Sequence, residues 1–266
     1  MALPAAAGAQ SGPAVVTALA VSGRGPIEGP ESFAGATAVP VALIPQLMAT
    51  PHAPAPSVGT VTVRAVRNRD HVGFLLEWQD ATAGARTALT GFGDMAAVAF
   101  PVQVSAVPPA PFMGNPGGRV QILQWRADWQ TDVERGPITL AELYPHAYGS
   151  DFYVDEHVSK ADAEPYRFSA RQAMGPQHGT AVQDLMAEGF GSLTPRAQQM
   201  GRGEGTHDGS SWRVVITRPQ AGDGESSAAL VPGTKTQLAI AVWDGAKNEV
   251  GSRKGWAGWI PLEIAP

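Results

Sequence analysis

Alternating apolar and polar residues predict β-strands along much of the chain. Over residues 60–66, valines 61 and 63 share one face of such a strand, and after a turn at 68–70 the alternation resumes over 72–78. This pair of segments has the pattern of a β-hairpin. Five further segments have strand patterns: residues 95–102, 120–129, 212–217, 237–243 and 256–264. We therefore expect an all-β fold, an antiparallel, immunoglobulin-like β-sandwich of at least seven strands.

Two segments lack this alternation. Residues 1–35 are rich in alanine, glycine and proline, and we expect them to form a flexible or surface-draped N-terminal arm outside a sandwich domain over residues 36–266. Residues from about 132 to 209 form a long insertion, in which helices are predicted near 161–174 and 180–188. Insertions of this length on a β-sandwich often cover a ligand or form a partner surface.

The composition excludes several kinds of function. The net charge is −5 and the pI about 5.7, whereas a nucleic-acid partner normally requires a basic face. No apolar run approaches the roughly 18 residues of a membrane span. Residues 1–10 lack the charged start of a leader and fit either the remainder of a removed signal peptide or a disordered start. The chain has no cysteine, which excludes thiolate-bound zinc, iron–sulfur clusters and covalently attached haem within it. Any haem would therefore be b-type.

Met113 and Lys254 could offer a thioether and an amine to the iron of such a haem. Met113 follows the proline-rich segment 108–111, which predicts an extended chain, and Gly114 after it permits close approach of a flat group. The amine of Lys254 would have to be neutral to bind iron, which requires burial. A methionine that fills a gap in the core and a solvated lysine are the simpler interpretations of these two residues.

Two other interpretations of the residues involve no haem. Trp125 and Trp129 have the same parity on one predicted strand, and aromatic side chains that share an exposed face would suit a carbohydrate-binding module. The segment around His146 and His157 is rich in acidic residues, as a hydrolytic metal site would be, but the chain contains no HExxH motif.

Several segments occur in a characteristic order: FGDMAAVAFPV, PPAPFMGNPGGRVQILQWRADW, WRVVITR, LVPGTKTQLAIAVWDGAKNEVGSRK and a closing strand. In this order they resemble the haem b, or γ, subunit of type II enzymes in the dimethyl-sulfoxide-reductase family of molybdenum enzymes. Such subunits occur in ethylbenzene, dimethyl-sulfide and steroid C25 dehydrogenases and in chlorate and selenate reductases. The resemblance covers about residues 39–264, and it is weakest over the insertion.

The resemblance implies a β-sandwich like the cytochrome domain of cellobiose dehydrogenase, with haem b in a pocket at one end of the sheets. It implies that Met113 and Lys254 are the two axial ligands of the haem iron. Met95 is a competing methionine, in a strand whose phase points it into the core. His157 or His71 could replace the lysine.

The resemblance also suggests further contacts and partners. Arg119 or Arg126, near the methionine loop, is a candidate partner for a haem propionate. Iron with two protein ligands has no open site, so the subunit would be non-catalytic and transfer electrons. It would work in the periplasm in a heterotrimer with a molybdopterin α subunit and an iron–sulfur β subunit, and would exchange electrons with a soluble carrier such as cytochrome c. This chain itself would hold neither an iron–sulfur cluster nor molybdopterin. The alternative is a non-redox ligand- or carbohydrate-binding module.

Overall fold

Twelve strands form one mixed sheet in this computed structural model, which describes residues 14–84, 91–136 and 179–266. The strands are β1 (Val16–Ala20), β2 (Val39–Ala42), β3 (Thr60–Arg67), β4 (His71–Gln79), β5 (Met95–Pro101), β6 (Val120–Arg126), β7 (Val182–Ala187), β8 (Thr194–Pro195), β9 (Arg202–His207), β10 (Ser211–Pro219), β11 (Lys235–Trp243) and β12 (Gly255–Ile264). One α-helix, α1 (Ala127–Arg135), and two short 3₁₀-helices (Pro30–Phe33 and Gly245–Lys247) complete the described elements.

The strand order is β8-β7-β6-β5-β11-β12-β1-β3-β4-β10-β9, with β2 paired to β3 outside this path. The hairpin predicted from the alternation is confirmed, because β3 and β4 pair antiparallel. Its turn is held by the Asn68 side chain, whose Oδ1 accepts hydrogen bonds from the backbone N–H groups of Asp70 and His71.

The sheet curls so that its two ends face each other across the main core. Trp125 of β6 meets Trp212 of β10 edge to face, with ring centroids 5.0 Å apart, although the two strands are not neighbours in the sheet. Gly205 of β9 makes room for this contact, since a Cβ there would lie 2.4 Å from the Trp125 ring. The core therefore lies inside the curl and receives side chains from most of the strands.

The fold is mostly β, as expected, but it is not an antiparallel immunoglobulin-like sandwich of two separate sheets. All the strands belong to one hydrogen-bonded sheet, and β1 pairs parallel with both β12 and β3. Alternation in the sequence indicates where strands lie but carries no information about which strands pair.

The prediction of a flexible arm is wrong for the described part of residues 1–35. Val16 and Ala18 of β1 are buried in the main core. Phe33 is fully buried in a second cluster, on the opposite face of β3, β4 and β10, together with Ile27 and Leu75. β4 is apolar on both faces, and the N-terminal segment covers the face that the main core does not use.

Two predictions near the insertion are also corrected. Residues 180–188 contain strand β7 and not a helix; its alternation is hidden because Asp184 points inward and pairs with the buried Arg196 at 2.7 Å. The strand predicted over 120–129 ends at Arg126, and Trp129 lies on α1. Trp125 and Trp129 therefore do not share a strand face. The helix predicted at 161–174 lies outside the described residues.

Candidate functional site

A cavity of about 550 Å³ lies on the outer face of the sheet, against β5, β6 and β11. Its floor is formed by small side chains at alternate positions of two paired strands: Ala97, Ala99, Ala239 and Ala241. Residues that alternate with these alanines along the strands, such as Val98 and Val242, point to the other face and belong to the main core. Because alanines replace larger side chains on one face only, the sheet is hollow there without loss of packing in the core. The cavity thus lies on a sheet face, and not at the end of the sheets as expected.

Aromatic side chains form another part of the cavity lining. Phe112 stacks on Phe190 with ring centroids 5.6 Å apart, and meets the ring of Trp256 edge to face at the same distance. The indole N–H of Trp256 donates to the backbone oxygen of Pro45 at 3.1 Å, which fixes the ring. All three rings line the cavity, so a flat apolar ligand would meet aromatic carbon as well as the alanines.

Met113 lines this cavity from the loop before β6. Its backbone φ is +119°, a region that residues other than glycine rarely adopt and that costs of order 1–3 kcal/mol. Two hydrogen bonds hold the loop in this conformation: Gly114 N–H donates to Ala110 O at 2.8 Å, and Gly189 N–H donates to Met113 O at 2.7 Å. The fold therefore imposes an unfavourable backbone conformation at the residue that brings a thioether to the cavity.

Gly114 has a different role from the one predicted. It has a φ of +70°, and a Cβ at this position would lie 2.4 Å from the backbone oxygen of Gly118 and 3.0 Å from that of Ala187. Because Gly114 has no side chain, the backbone next to Met113 can pass close to the backbone at Gly118 and Ala187. It does not provide space for a ligand.

Lys254 lines the same cavity from the loop between β11 and β12. Its side chain is partly buried, and its amine lies 4.9 Å from the centre of the Trp243 ring. Among the described residues, no carboxylate or hydrogen-bond acceptor pairs with this amine. Desolvation lowers the pKa of Lys254 from its usual 10.5 to about 8. The amine is therefore much closer to its neutral, metal-binding form than a solvated lysine is.

The alternative ligands are placed differently. Met95 does not point into the main core as predicted, because Ala96 and Val98 take that face of β5; Met95 lines the cavity, and its sulfur accepts a hydrogen bond from Gln124 Nε2 at 3.4 Å. His71, at the start of β4, does not line the cavity. His157 lies outside the described residues, as does His146.

The two arginines differ in position. Arg126 lines the cavity, where Asp128 binds it through two hydrogen bonds of 3.0 and 2.7 Å. Arg119 does not line the cavity, and its guanidinium donates to Glu188 at 2.9 Å on the protein surface. The structure thus brings Met113, Lys254 and Arg126 to one cavity and leaves Arg119 outside it.

Sequence reasoning missed the floor and the aromatic wall of the cavity. The alternate alanines of β5 and β11 are visible in the sequence, but their pattern predicts a strand and not a cavity. Phe112 is adjacent to Met113, so its position could have been inferred from that of Met113. Phe190 comes from a distant loop, and no local signal in the sequence connects it to the site.

Comparison with known proteins places the chain in a family. A family model described as ethylbenzene dehydrogenase matches residues 31–255. Among curated proteins, the chain is 24% identical over 232 residues to a Haloferax mediterranei protein named as a respiratory nitrate reductase heme subunit, ORF7, covering 87% of this chain and 64% of the relative. It is 27% identical over 190 residues to the chlorate reductase subunit gamma of Ideonella dechloratans, covering 71% of this chain and 58% of that protein. The chain thus spans less than two thirds of the length of either relative.

Similarity to solved structures is weaker. The chain is 7% identical to a family 9 carbohydrate binding module of Caldicellulosiruptor kristjanssonii in complex with glucose, with a TM-score of 0.42 and coverage of 94% of this chain and 95% of that chain. For a candidate carbohydrate-binding protein of Bacteroides uniformis, the identity is 10%, the TM-score 0.47, and the coverage 95% and 100%. Within the described ranges, no helix has the length and hydropathy needed to cross a membrane.

Proposed function

We propose that this chain, which belongs to the ethylbenzene dehydrogenase family, is a haem b electron-transfer subunit of a molybdenum oxidoreductase complex. Its relatives include a named heme subunit and a named gamma subunit. One observation carries the proposal: Met113 and Lys254, from loops far apart in sequence, line a single apolar cavity. Both residues are in states that disfavour the folded chain, one through its backbone and one through a desolvated amine. Unfavourable states of this kind concentrate at functional sites.

The residues present fit a non-covalent haem. The cavity volume of about 550 Å³ lies within the usual range for cofactor sites, and the walls are mainly alanine and aromatic carbon. With no cysteine in the chain, haem would be held by ligation and packing alone. Met113 and Lys254 would hold its iron, and Arg126, which also binds Asp128, would be the candidate partner for a propionate.

Each residue would contribute in a distinct way. When bound, haem supplies one-electron transfer at its iron. The thioether of Met113 favours the ferrous state and so raises the reduction potential. The amine of Lys254 must give up its proton to ligate, and the lowered pKa makes this loss easier. The rings of Phe112, Phe190 and Trp256 would pack apolar carbon against the haem and so reduce its contact with water.

With both axial positions filled by protein, the subunit would have no site for a substrate and would be non-catalytic. We propose that it works in the periplasm, in a heterotrimer with a molybdopterin α subunit and an iron–sulfur β subunit. It would pass electrons between the iron–sulfur subunit and a soluble carrier such as cytochrome c. The gamma-subunit name of the chlorate reductase relative supports such a multi-subunit assembly.

The test is a visible absorption spectrum of the chain after reconstitution with haem. We expect sharp α and β bands on reduction with dithionite, typical of six-coordinate low-spin haem b. Met113→Leu and Lys254→Leu should each convert the spectrum to a high-spin form. Met48→Leu, which changes an exposed methionine at the same cavity, is the matched control and should leave the bands unchanged.

Each result has a definite meaning. A chain that stays colourless after reconstitution contradicts the proposed function. A low-spin spectrum that survives both Met113→Leu and Lys254→Leu contradicts these ligands. Loss of the low-spin bands in Met95→Leu but not in Met113→Leu would assign the thioether to Met95 instead.

A further inference from the structure

Three buried carboxylates meet outside the haem cavity. Asp80 directly follows β4, Asp94 directly precedes β5 and Asp244 directly follows β11. One carboxylate oxygen from each lies within 4.8 Å of the other two. The side chains are almost inaccessible, with relative exposures of 7%, 0% and 7% respectively. None of the three lines the haem cavity.

No positive charge compensates this cluster in the described part of the chain. Asp94 accepts hydrogen bonds from the backbone N–H groups of Gly84 and Gly245, at 2.6 and 2.8 Å, and from the Trp212 indole at 3.0 Å. Asp244 accepts from the backbone N–H of Lys247 at 3.1 Å. These donors are all neutral, and no ion pair joins the carboxylates to a lysine, arginine or histidine among the described residues.

The hydrogen bonding of the cluster is incomplete at Asp80. Its Oδ1 accepts hydrogen bonds from the backbone and the side chain of Thr82, but its Oδ2 is buried and has no hydrogen-bond partner among the residues that the structure describes. A buried, unpaired carboxylate oxygen costs several kcal/mol unless a cation or a proton satisfies it. Burial and mutual repulsion raise the pKa of both Asp94 and Asp244, and Glu249 adds to the negative potential at Asp244.

We propose that Asp80, Asp94 and Asp244 bind a divalent cation with oxygen ligands, Ca²⁺ in preference to Mg²⁺. Carboxylate oxygens are the donors that such hard cations select. Oxygens up to 4.8 Å apart fit around one ion, because opposite ligands of Ca²⁺ are separated by twice its 2.3–2.6 Å bond length. Mg²⁺ is bound less well by a cluster of this kind, because it requires near-ideal octahedral geometry at about 2.0–2.1 Å and keeps several waters.

The position of the cluster gives the ion a structural role. Phe92 and Gly93, just before Asp94, and Trp243, just before Asp244, line the haem cavity. The loops that carry them already touch, since a Cβ at Gly245 would lie 2.0 Å from the backbone oxygen of Phe92. A cation here ties the end of β4, the start of β5 and the end of β11 together beside the cavity. The site does not depend on the proposed haem function, because no haem ligand takes part in it.

The experiment measures Ca²⁺ binding by the full chain after removal of metals with a chelator. We expect isothermal titration calorimetry to show one site. A Ca²⁺ concentration about a hundred times its Kd should raise the Tm by roughly 5–10 °C. The same concentration of Mg²⁺ should give a smaller rise. Asp80→Asn and Asp244→Asn should weaken Ca²⁺ binding about 100-fold or more, whereas Asp70→Asn, at an exposed carboxylate, should not change it.

The variants remain interpretable without metal. Asp80→Asn removes a buried negative charge and keeps the side-chain shape, so in chelator its Tm should equal or exceed that of the unsubstituted chain. The proposal is overturned if the unsubstituted chain shows no Ca²⁺ binding, which is the result expected if the cluster holds a proton in place of a cation. It is also overturned if Asp80→Asn and Asp244→Asn bind Ca²⁺ as tightly as Asp70→Asn does.

Discussion

Replacing Lys254 by leucine should stabilise the haem-free chain at neutral pH while removing a proposed haem ligand. The folded state lowers the pKa of Lys254 from 10.5 to about 8, with desolvation as the cause. The folded chain therefore binds this proton less tightly than the unfolded chain does. Below pH 8 the resulting penalty on folding is fully present, and it disappears as the pH rises through 10.5.

The size of the effect follows from the two pKa values. The penalty is about 3 kcal/mol at pH 7, about 2 kcal/mol at pH 9 and less than about 0.5 kcal/mol at pH 10.5. Leucine removes this penalty but also loses the contact between the amine and the Trp243 ring, which is worth roughly 0.5–1 kcal/mol. The net gain for Lys254→Leu at pH 7 should therefore be about 2–3 kcal/mol.

The assay is urea denaturation of the haem-free chain at pH 7, 9 and 10.5, with Lys247→Leu as the matched control. Lys247 is exposed, so its replacement should change the free energy of unfolding by less than about 0.5 kcal/mol at every pH. If Lys254→Leu destabilises the chain at pH 7, or its gain does not shrink toward pH 10.5, then the amine is not desolvated and the reasoning fails.

Three further predictions concern the site and its supports. Since the amine of Lys254 must lose a proton to ligate, haem affinity should fall about tenfold for each pH unit below about 8, and a pH-independent affinity in spectrophotometric titration would contradict this. Gly114→Ala should cost about 2–4 kcal/mol in urea denaturation, against about 1 kcal/mol for Gly117→Ala, which shares the positive φ but has nothing within 4 Å. Asp184→Asn, which breaks a buried ion pair, should lower the free energy of unfolding by about 3–5 kcal/mol. Glu263→Gln, at an exposed ion pair, should lower it by under about 1 kcal/mol, and equal losses in the two variants would contradict the greater stabilisation by the buried pair.

The sequence predicted those parts of the fold that depend on local pattern. The β3–β4 hairpin follows from alternation and a turn, and both are encoded within about twenty residues. Strand β1 was missed because its partners, β12 and β3, are distant in sequence and pair with it parallel. Strand β7 was missed because Asp184 occupies an inward position, where its charge is balanced by Arg196. In both cases tertiary contacts, and not local propensity, decide the structure.

The candidate site was only partly predictable for the same reason. The resemblance named Met113 and Lys254, and the structure places both at one cavity. Alternation could not show that one face of β5 and β11 is hollow, because alanine counts as apolar on either face. The carboxylates of Asp80, Asp94 and Asp244 meet only because β4 and β11 end where β5 begins, and that depends on the order of strands in the sheet.

Strand β1 also has a consequence for how the chain assembles. Within the described residues, the half of the sheet that ends in β12 is joined by backbone strand pairing to the half that begins with β3 only through β1 and the bridge between Ile44 and Trp256. In β1, Val16 pairs with Leu262, so the two halves cannot join until nearly all of the described chain has been synthesised. Contacts of such long sequence separation are slow to form. Until then β1 can pair with β3, but its other edge is unpaired, and strands of other chains can add to it. The cavity is formed mainly by the β12 half, so the pairing of β12 with β1 is the late step that makes this half part of a finished protein.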